Sequence, residues 1–160
     1  MRTLLHAVSS IALIGFLGSS ACFAADAATA ALDMVKRLRL GENMKTIGLQ
    51  AASRSQTYLI ITKTVGPDKA RAVVSEELDK AAPKYQGQWD KNLASAYAPL
   101  FSAVELQSIA EKQRQSPHID KFVAKQNEVG AAMQSKSTEL LKEYVTEAMT
   151  NAFRRTAPTK

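Results

Sequence analysis

No proline stands between Pro117 and Pro158. Across that stretch Ile119, Phe122, Val123, Val129, Met133, Leu140, Tyr144, Val145, Ala148, Met149 and Phe153 keep a spacing built from threes and fours. Such spacing lines up apolar side chains on one face of an α-helix. It predicts a C-terminal helix of some 36 residues, which at 1.5 Å each reaches about 54 Å. Gly130-Ala131-Ala132 forms its small-residue waist, where a second helix can approach or the helix can bend. A long amphipathic helix is stable only when other elements cover its apolar face, so the rest of the chain has to supply them.

Upstream, Ser102 followed by Glu105 reads as a capping box, in which each side chain bonds the backbone N–H at the other end of the box. Phe101 before the cap and Leu106 one turn inside suit a hydrophobic staple. Ser116-Pro117 closes this helix, and Pro117 then suits the first turn of the last one, with Ser116 as its cap.

Earlier still, Leu32, Val35 and Leu38 predict a short first helix after a flexible Ala-rich start, with Gly41 as its C-terminal cap. Met44, Ile47, Ala51, Tyr58 and Ile61 predict a second, stopped by Gly66-Pro67. The run Tyr58–Thr62 also has strand propensity, but no second β-rich run exists to pair with it. Asp68 can cap a third helix carrying Ala70, Val73, Val74, Leu78 and Ala81, supported by a Glu76/Lys80 pair and ended by Pro83. Tyr85, Trp89, Leu93 and Tyr97 then make an i, i+4 stripe, expected to be a buried helix face in preference to a ligand-stacking surface. The fold class read from the sequence is all-α: a single-domain bundle of about five to six helices with a long C-terminal helix.

The N-terminus reads as a cleaved signal peptide. Arg2 supplies positive charge, Ala7 to Leu17 is largely apolar and too short to span a bilayer, and Cys22-Phe23-Ala24 offers small residues at both positions a signal peptidase reads. Cleavage is expected after Ala24, with Ala27 or Ala30 as fallbacks. That leaves residues 25–160 as one helical domain, periplasmic or secreted. A competing reading takes Ser20-Ala21-Cys22 as a lipoprotein signal, anchoring the protein through Cys22, although Ser19 stands where an aliphatic residue is expected. Removing 1–24 takes away one basic and no acidic residue, so the net charge of +6 becomes +5. The surplus is dispersed, with local clusters only at Lys36/Arg37/Arg39 and Arg154/Arg155/Lys160. Nucleic acid is disfavoured as a partner, since no aromatic residues interleave with these basic ones; weak contact with a membrane surface stays open.

Residues from about 89 to 144 resemble the bacterial domain-of-unknown-function 2059 family, through Tyr97, Phe101-Ser102, Glu105-Leu106, Ser116-Pro117 and Lys121. The chain departs from that pattern at Lys112, Gln113 and Ile119. The resemblance implies an exported helical protein, with no activity attached.

Beyond residue 24 the chain has one histidine, His118, and no cysteine, so neither a Cys/His nucleophile pair nor an N/S zinc site is expected. His118 beside Asp120 invites a Ser-His-Asp triad, but no G-x-S-x-G elbow accompanies it. No G-x-G-x-x-G or Walker loop is present. No catalytic, cofactor-binding or metal-ligating residue is therefore assigned. Glu139, Glu143 and Glu147 form a carboxylate row that a basic segment such as Lys36/Arg37/Arg39, a cation, a partner or solvent has to answer.

The function class expected is a non-catalytic interaction or structural module of the cell envelope. The alternative is an envelope hydrolase whose Ser, Glu and Tyr groups are gathered by the tertiary fold. Helices of ordinary length cover only part of the last helix, so its C-terminal stripe, Tyr144, Ala148, Met149 and Phe153 with Arg154 and Arg155 at the rim, is expected to remain exposed and to dock a second copy or an envelope protein or peptide. The competing expectation is that the first helix lies across that stripe.

Overall fold

A computed structural model describes residues 20–157, and among them the chain forms seven α-helices and no strand. They are α1 Ser20–Arg37, α2 Met44–Ser53, α3 Gln56–Val65, α4 Pro67–Tyr97, α5 Ala103–Lys112, α6 Ile119–Ala124 and α7 Gln126–Thr156. Short 3-10 turns cover Leu40–Asn43 and Gln113–Gln115. Most of the proposed signal peptide, residues 1–19, lies outside the described residues, as do 158–160.

Two antiparallel helices of 31 residues each, α4 and α7, form the spine. Their direction follows from the pairs that cross between them: Glu77 with Arg155, Tyr85 with Glu147, and Asn92 with Ser137. At 1.5 Å per residue each is about 46 Å long, so each can cover the other's whole apolar face. Helices α2 and α3 pack across both, while α1 packs on α4 and α5.

Pro83 does not end a helix, contrary to the sequence expectation; α4 runs through it. A proline inside a helix removes one backbone bond and crowds the preceding turn. Here Val74, Leu78 and Ala81 on one side and Tyr85, Trp89 and Leu93 on the other are all buried, and that packing holds both halves in one helix. Gly66 and Pro67 mark its start, with Pro67 in the first turn; Asp68 is exposed in that turn and is not the cap. The expected Glu76/Lys80 pair is replaced by Glu77 with Lys80 and Glu76 with Arg155.

The segment from Met44 to Val65 is two helices, not one. Ser55 takes an extended conformation and its Oγ accepts from the Tyr58 N–H at 3.1 Å, a side-chain cap that opens α3. The Ala-rich segment after residue 24 is helical too: Ala27, Ala30 and Ala31 are buried in α1 and not part of a flexible lead. That helix ends at Arg37, and two residues later Arg39, with a φ of 55°, is the left-handed residue expected at Gly41. Gly41 serves a different purpose: its carbonyl accepts from Gln86 Nε2 at 3.0 Å, and a Cβ there would collide with Asp90. Gly48 likewise admits the Tyr144 ring, since a Cβ would stand 2.7 Å from Tyr144 Cε1 and 3.3 Å from Leu78 Cδ2.

The capping box at Ser102 and Glu105 is present with both reciprocal bonds, and Phe101 and Leu106 are buried as a staple requires. Glu105 also accepts from Lys121 Nζ at 2.8 Å, which ties α5 to α6 and, with the Ser102 N–H, holds its carboxyl below the usual carboxylate range. Changing both Ser102 and Glu105 to Ala should cost about 1–2 kcal/mol in thermal melts at neutral pH. Because the folded-state pKa is lowered, the Glu105 contribution is present above the usual carboxylate range and is lost as pH falls through the lowered value. The gap between native and variant melting temperatures should therefore narrow in acid. A gap that is the same at every pH would show that Glu105 is not the ionised half of the box.

Ser116 is buried and joins the two helices around it, with its Oγ 3.0 Å from Ser108 Oγ and accepting from the His118 N–H at 3.3 Å. It does not cap a helix that begins at Pro117; α6 begins at Ile119 with His118 at the cap position. The last helix, α7, has 31 residues where some 36 were expected, because Lys125 separates it from α6. The interruption is slight: the Lys125 N–H still bonds Lys121 O, and its carbonyl still accepts from Val129.

Candidate functional site

The stripe expected to be exposed on the last helix is core. Tyr144 and Ala148 have no exposed surface and Met149 retains 5%. Tyr144 donates its hydroxyl to Leu78 O at 3.0 Å and sits 5.5 Å from the Tyr85 ring. Phe153 and Arg154 are exposed at the helix end, while Arg155 folds onto α4, bonding Glu76 at 2.9 Å and the buried Glu77. Lys80 and Arg155 together hold the Glu77 carboxyl below its usual range. The covering element is α4 with α2 and α3, not α1: a 31-residue helix reaches where two helices broken at Pro83 could not.

The carboxylate row is answered in part by α4. Glu147 accepts from Lys84 Nζ and from Tyr85 OH at 2.8 Å, which lowers its carboxyl pKa, and Glu139 pairs with Lys142 at 3.3 Å. Lys36, Arg37 and Arg39 take no part, and Arg39 pairs with Glu42. His118 faces Glu105, with Nδ1 3.9 Å from Oε1, and not a serine–aspartate pair. The acidic groups with shifted pKa values thus sit in ion pairs between elements.

An apolar concavity among the described residues lies elsewhere, where α2 and the Leu40–Asn43 turn meet α4 and α7. It encloses about 490 Å³. Trp89, Leu93 and Tyr97 from α4 form one wall, Val129, Met133 and Leu141 from α7 the facing one, and Leu40 and Ile47 close an end. Gly130 leaves the wall open: it is exposed, and nothing lies within 4 Å of where a Cβ would stand. Among the described residues no other helix approaches at Gly130; the glycine lowers the rim of this cleft.

The cleft walls are fixed by bonds behind them. Trp89 Nε1 donates to Asn43 Oδ1 at 3.2 Å, anchoring the 3-10 turn to α4. Asn92 Nδ2 donates to Ser137 Oγ at 3.0 Å and to Lys136 O at 3.1 Å, and Ser137 in turn contacts Met133 Sδ at 3.3 Å. Tyr97 stacks on Phe122, 5.3 Å between centroids with planes 6° apart, and lies 3.3 Å from Gln126 through its hydroxyl. Burial pushes the Tyr97 phenol above its ordinary value, so it stays neutral. Asn43, Gln126, Gln134, Ser137 and Thr138 are the polar lining residues, and no lining residue carries a charge.

Sequence reasoning placed Trp89, Leu93 and Tyr97 on a buried stripe, and they are buried. It missed that the same stripe is one wall of a cleft, because the partners come from residues some 40 positions away on either side. Gly130 was the available signal: a glycine on the helix face that carries Val129 and Met133 leaves space. Comparison of the chain with protein-family models, with curated proteins and with solved structures finds no match. Among the described residues, no group of His, Cys, Asp and Glu is placed to hold a metal ion, and no helix is long and apolar enough to cross a membrane.

Proposed function

We propose that this protein is a non-catalytic binding module of the bacterial envelope that holds its ligand in the cleft between α2, α4 and α7. The observation that carries the reading is the lining of that cleft. In a chain in which 22% of residues are charged, an aromatic-walled space of about 490 Å³ has no charged side chain in it. Ligand sites are concave, mostly apolar and furnished with a few polar groups, and this volume falls in their usual range. The hydrolase alternative is less well supported, because the Tyr97 and Ser137 hydroxyls have no carboxylate or histidine in the cleft to act as base.

Export is supported by Arg2, the apolar stretch to Leu17 and the small residues around Ala24, and by the resemblance of residues about 89–144 to an exported family. Burial of Ala27 and Ala30 favours cleavage after Ala24 over the two later positions, since those cuts would remove packed residues.

Trp89 is the only tryptophan, so its emission reports on the cleft wall. The neutral apolar dye N-phenylnaphthylamine should brighten on the folded protein while Trp89 is quenched in step. Gly130→Leu fills the open rim with a good helix former and should abolish both signals without lowering the melting temperature. Equal brightening on the native protein and on that variant would sink the binding reading.

A further inference from the structure

We infer that α3 rests on the surface of an anionic phospholipid bilayer, with Leu59 and Ile60 entering the headgroup layer and Arg54 and Lys63 facing the lipid phosphates. The inference does not draw on the cleft. It stands on which residues α3 turns outward and on the charges around them.

Two sides of α3 carry apolar residues, and the core accounts for one of them. Ile61 has no exposed surface, and Tyr58 and Val65 pack beside it where α3 meets α4 and α7. The outward side reads Gln56, Leu59, Ile60 and Lys63, whose spacings of three and four place them together on one face. Leu59 keeps 49% of its surface exposed and Ile60 42%. Five large hydrophobic residues are exposed among the described residues, and these two alone are neighbours in the chain. Single exposed apolar residues are ordinary on a protein surface, whereas contiguous ones mark association surfaces.

Charge decides which partner fits that face. Neither α2 nor α3 contains an Asp or Glu, and between Glu42 and Glu76 five basic residues stand against one acid, Asp68. Lys45 is paired with Asp79 at 2.6 Å. The side chains of Arg54, Lys63, Lys69 and Arg71 are exposed, and among the described residues none has an ion-pair or hydrogen-bond partner. Arg54 stands just before the Ser55 cap and Lys63 near the far end of α3, so cations bracket the aliphatic pair on a helix about 15 Å long. A bilayer edge is layered in the same way: Leu and Ile reach the acyl boundary while long cationic side chains stay among the phosphates. Thr64, also exposed, donates its hydroxyl to Ile60 O at 2.9 Å and so brings no unpaired donor into that layer.

Cosedimentation of the exported protein with vesicles measures the contact. Vesicles of equal parts phosphatidylglycerol and phosphatidylcholine should bind it at low salt at least about tenfold more tightly than phosphatidylcholine alone, the ratio for a few cations near an anionic surface. Leu59→Gln with Ile60→Gln should weaken binding at least about tenfold, because two half-exposed aliphatic side chains no longer leave water. Both positions are exposed and glutamine is a good helix former, so the melting temperature should hold. Arg54→Gln with Lys63→Gln should flatten the dependence on salt. No binding to the anionic vesicles, equal binding to the neutral ones, or a Leu59/Ile60 variant that binds like the native protein would each overturn the inference. So would a native dimer that ignores vesicles and that the same variant turns into a monomer, since the face would then join two copies.

Discussion

Replacing Tyr144 with alanine is expected to destabilise the domain by about 3–5 kcal/mol, the range for deleting a large buried ring from a close-packed core. Tyr144 is among the largest side chains with no exposed surface. Its ring fills the space that Gly48 leaves on α2, rests against Tyr85, and bonds the Leu78 carbonyl of α4. It therefore joins three helices at once. Tyr144→Phe keeps the ring and should cost only about 1 kcal/mol, the net value of one hydrogen bond. Burial, and secondarily Asp79, push the phenol up to about 12. A raised pKa means that the folded state holds this proton more tightly than the unfolded one. Its contribution is thus complete below the ordinary tyrosine value and is lost as pH rises through about 12. Urea unfolding of the three proteins gives the energies. A loss for Tyr144→Ala below about 1 kcal/mol, the worth of the hydrogen bond alone, would mean that α7 does not seat its middle in the core. The same stripe would then be free to associate, and sedimentation would show it.

Pro83→Ala is expected to act in the opposite direction and stabilise the domain by about 2 kcal/mol. Proline inside a helix is about 3 kcal/mol worse than alanine, and roughly 1 kcal/mol of that is returned by the stiffness it gives the unfolded chain. Pro83 is exposed on α4, so no packing is lost with its ring. Alanine restores the N–H that can bond the carbonyl four residues back. The same urea titrations measure the gain. A destabilised variant would show instead that α4 needs Pro83 to lie along α7 over its full length.

The two cases mark where sequence and tertiary structure divide the work. The all-α class, the capping box at Ser102 and Glu105, the buried face from Tyr85 to Tyr97 and the long C-terminal helix are all written locally. Each depends on spacings of three or four residues, so neighbouring side chains suffice to specify it. The short polar segment around Ser55 was equally local, since an extended serine that caps Tyr58 is enough to split a helix. What neighbours could not decide was whether α4 survives Pro83. That balance sets a local penalty of about 3 kcal/mol against burial of side chains on both sides of the proline, and the burial depends on α7 being there to pack against. Once α4 is continuous, its length matches that of α7, and Tyr144, Ala148 and Met149 become core where a shorter helix would have left them exposed. The cleft has the same origin. Trp89 and Tyr97 were visible as an apolar stripe, but only the packing of α2 and α7 against α4, with Gly130 at the rim, decided that the stripe would border a cleft.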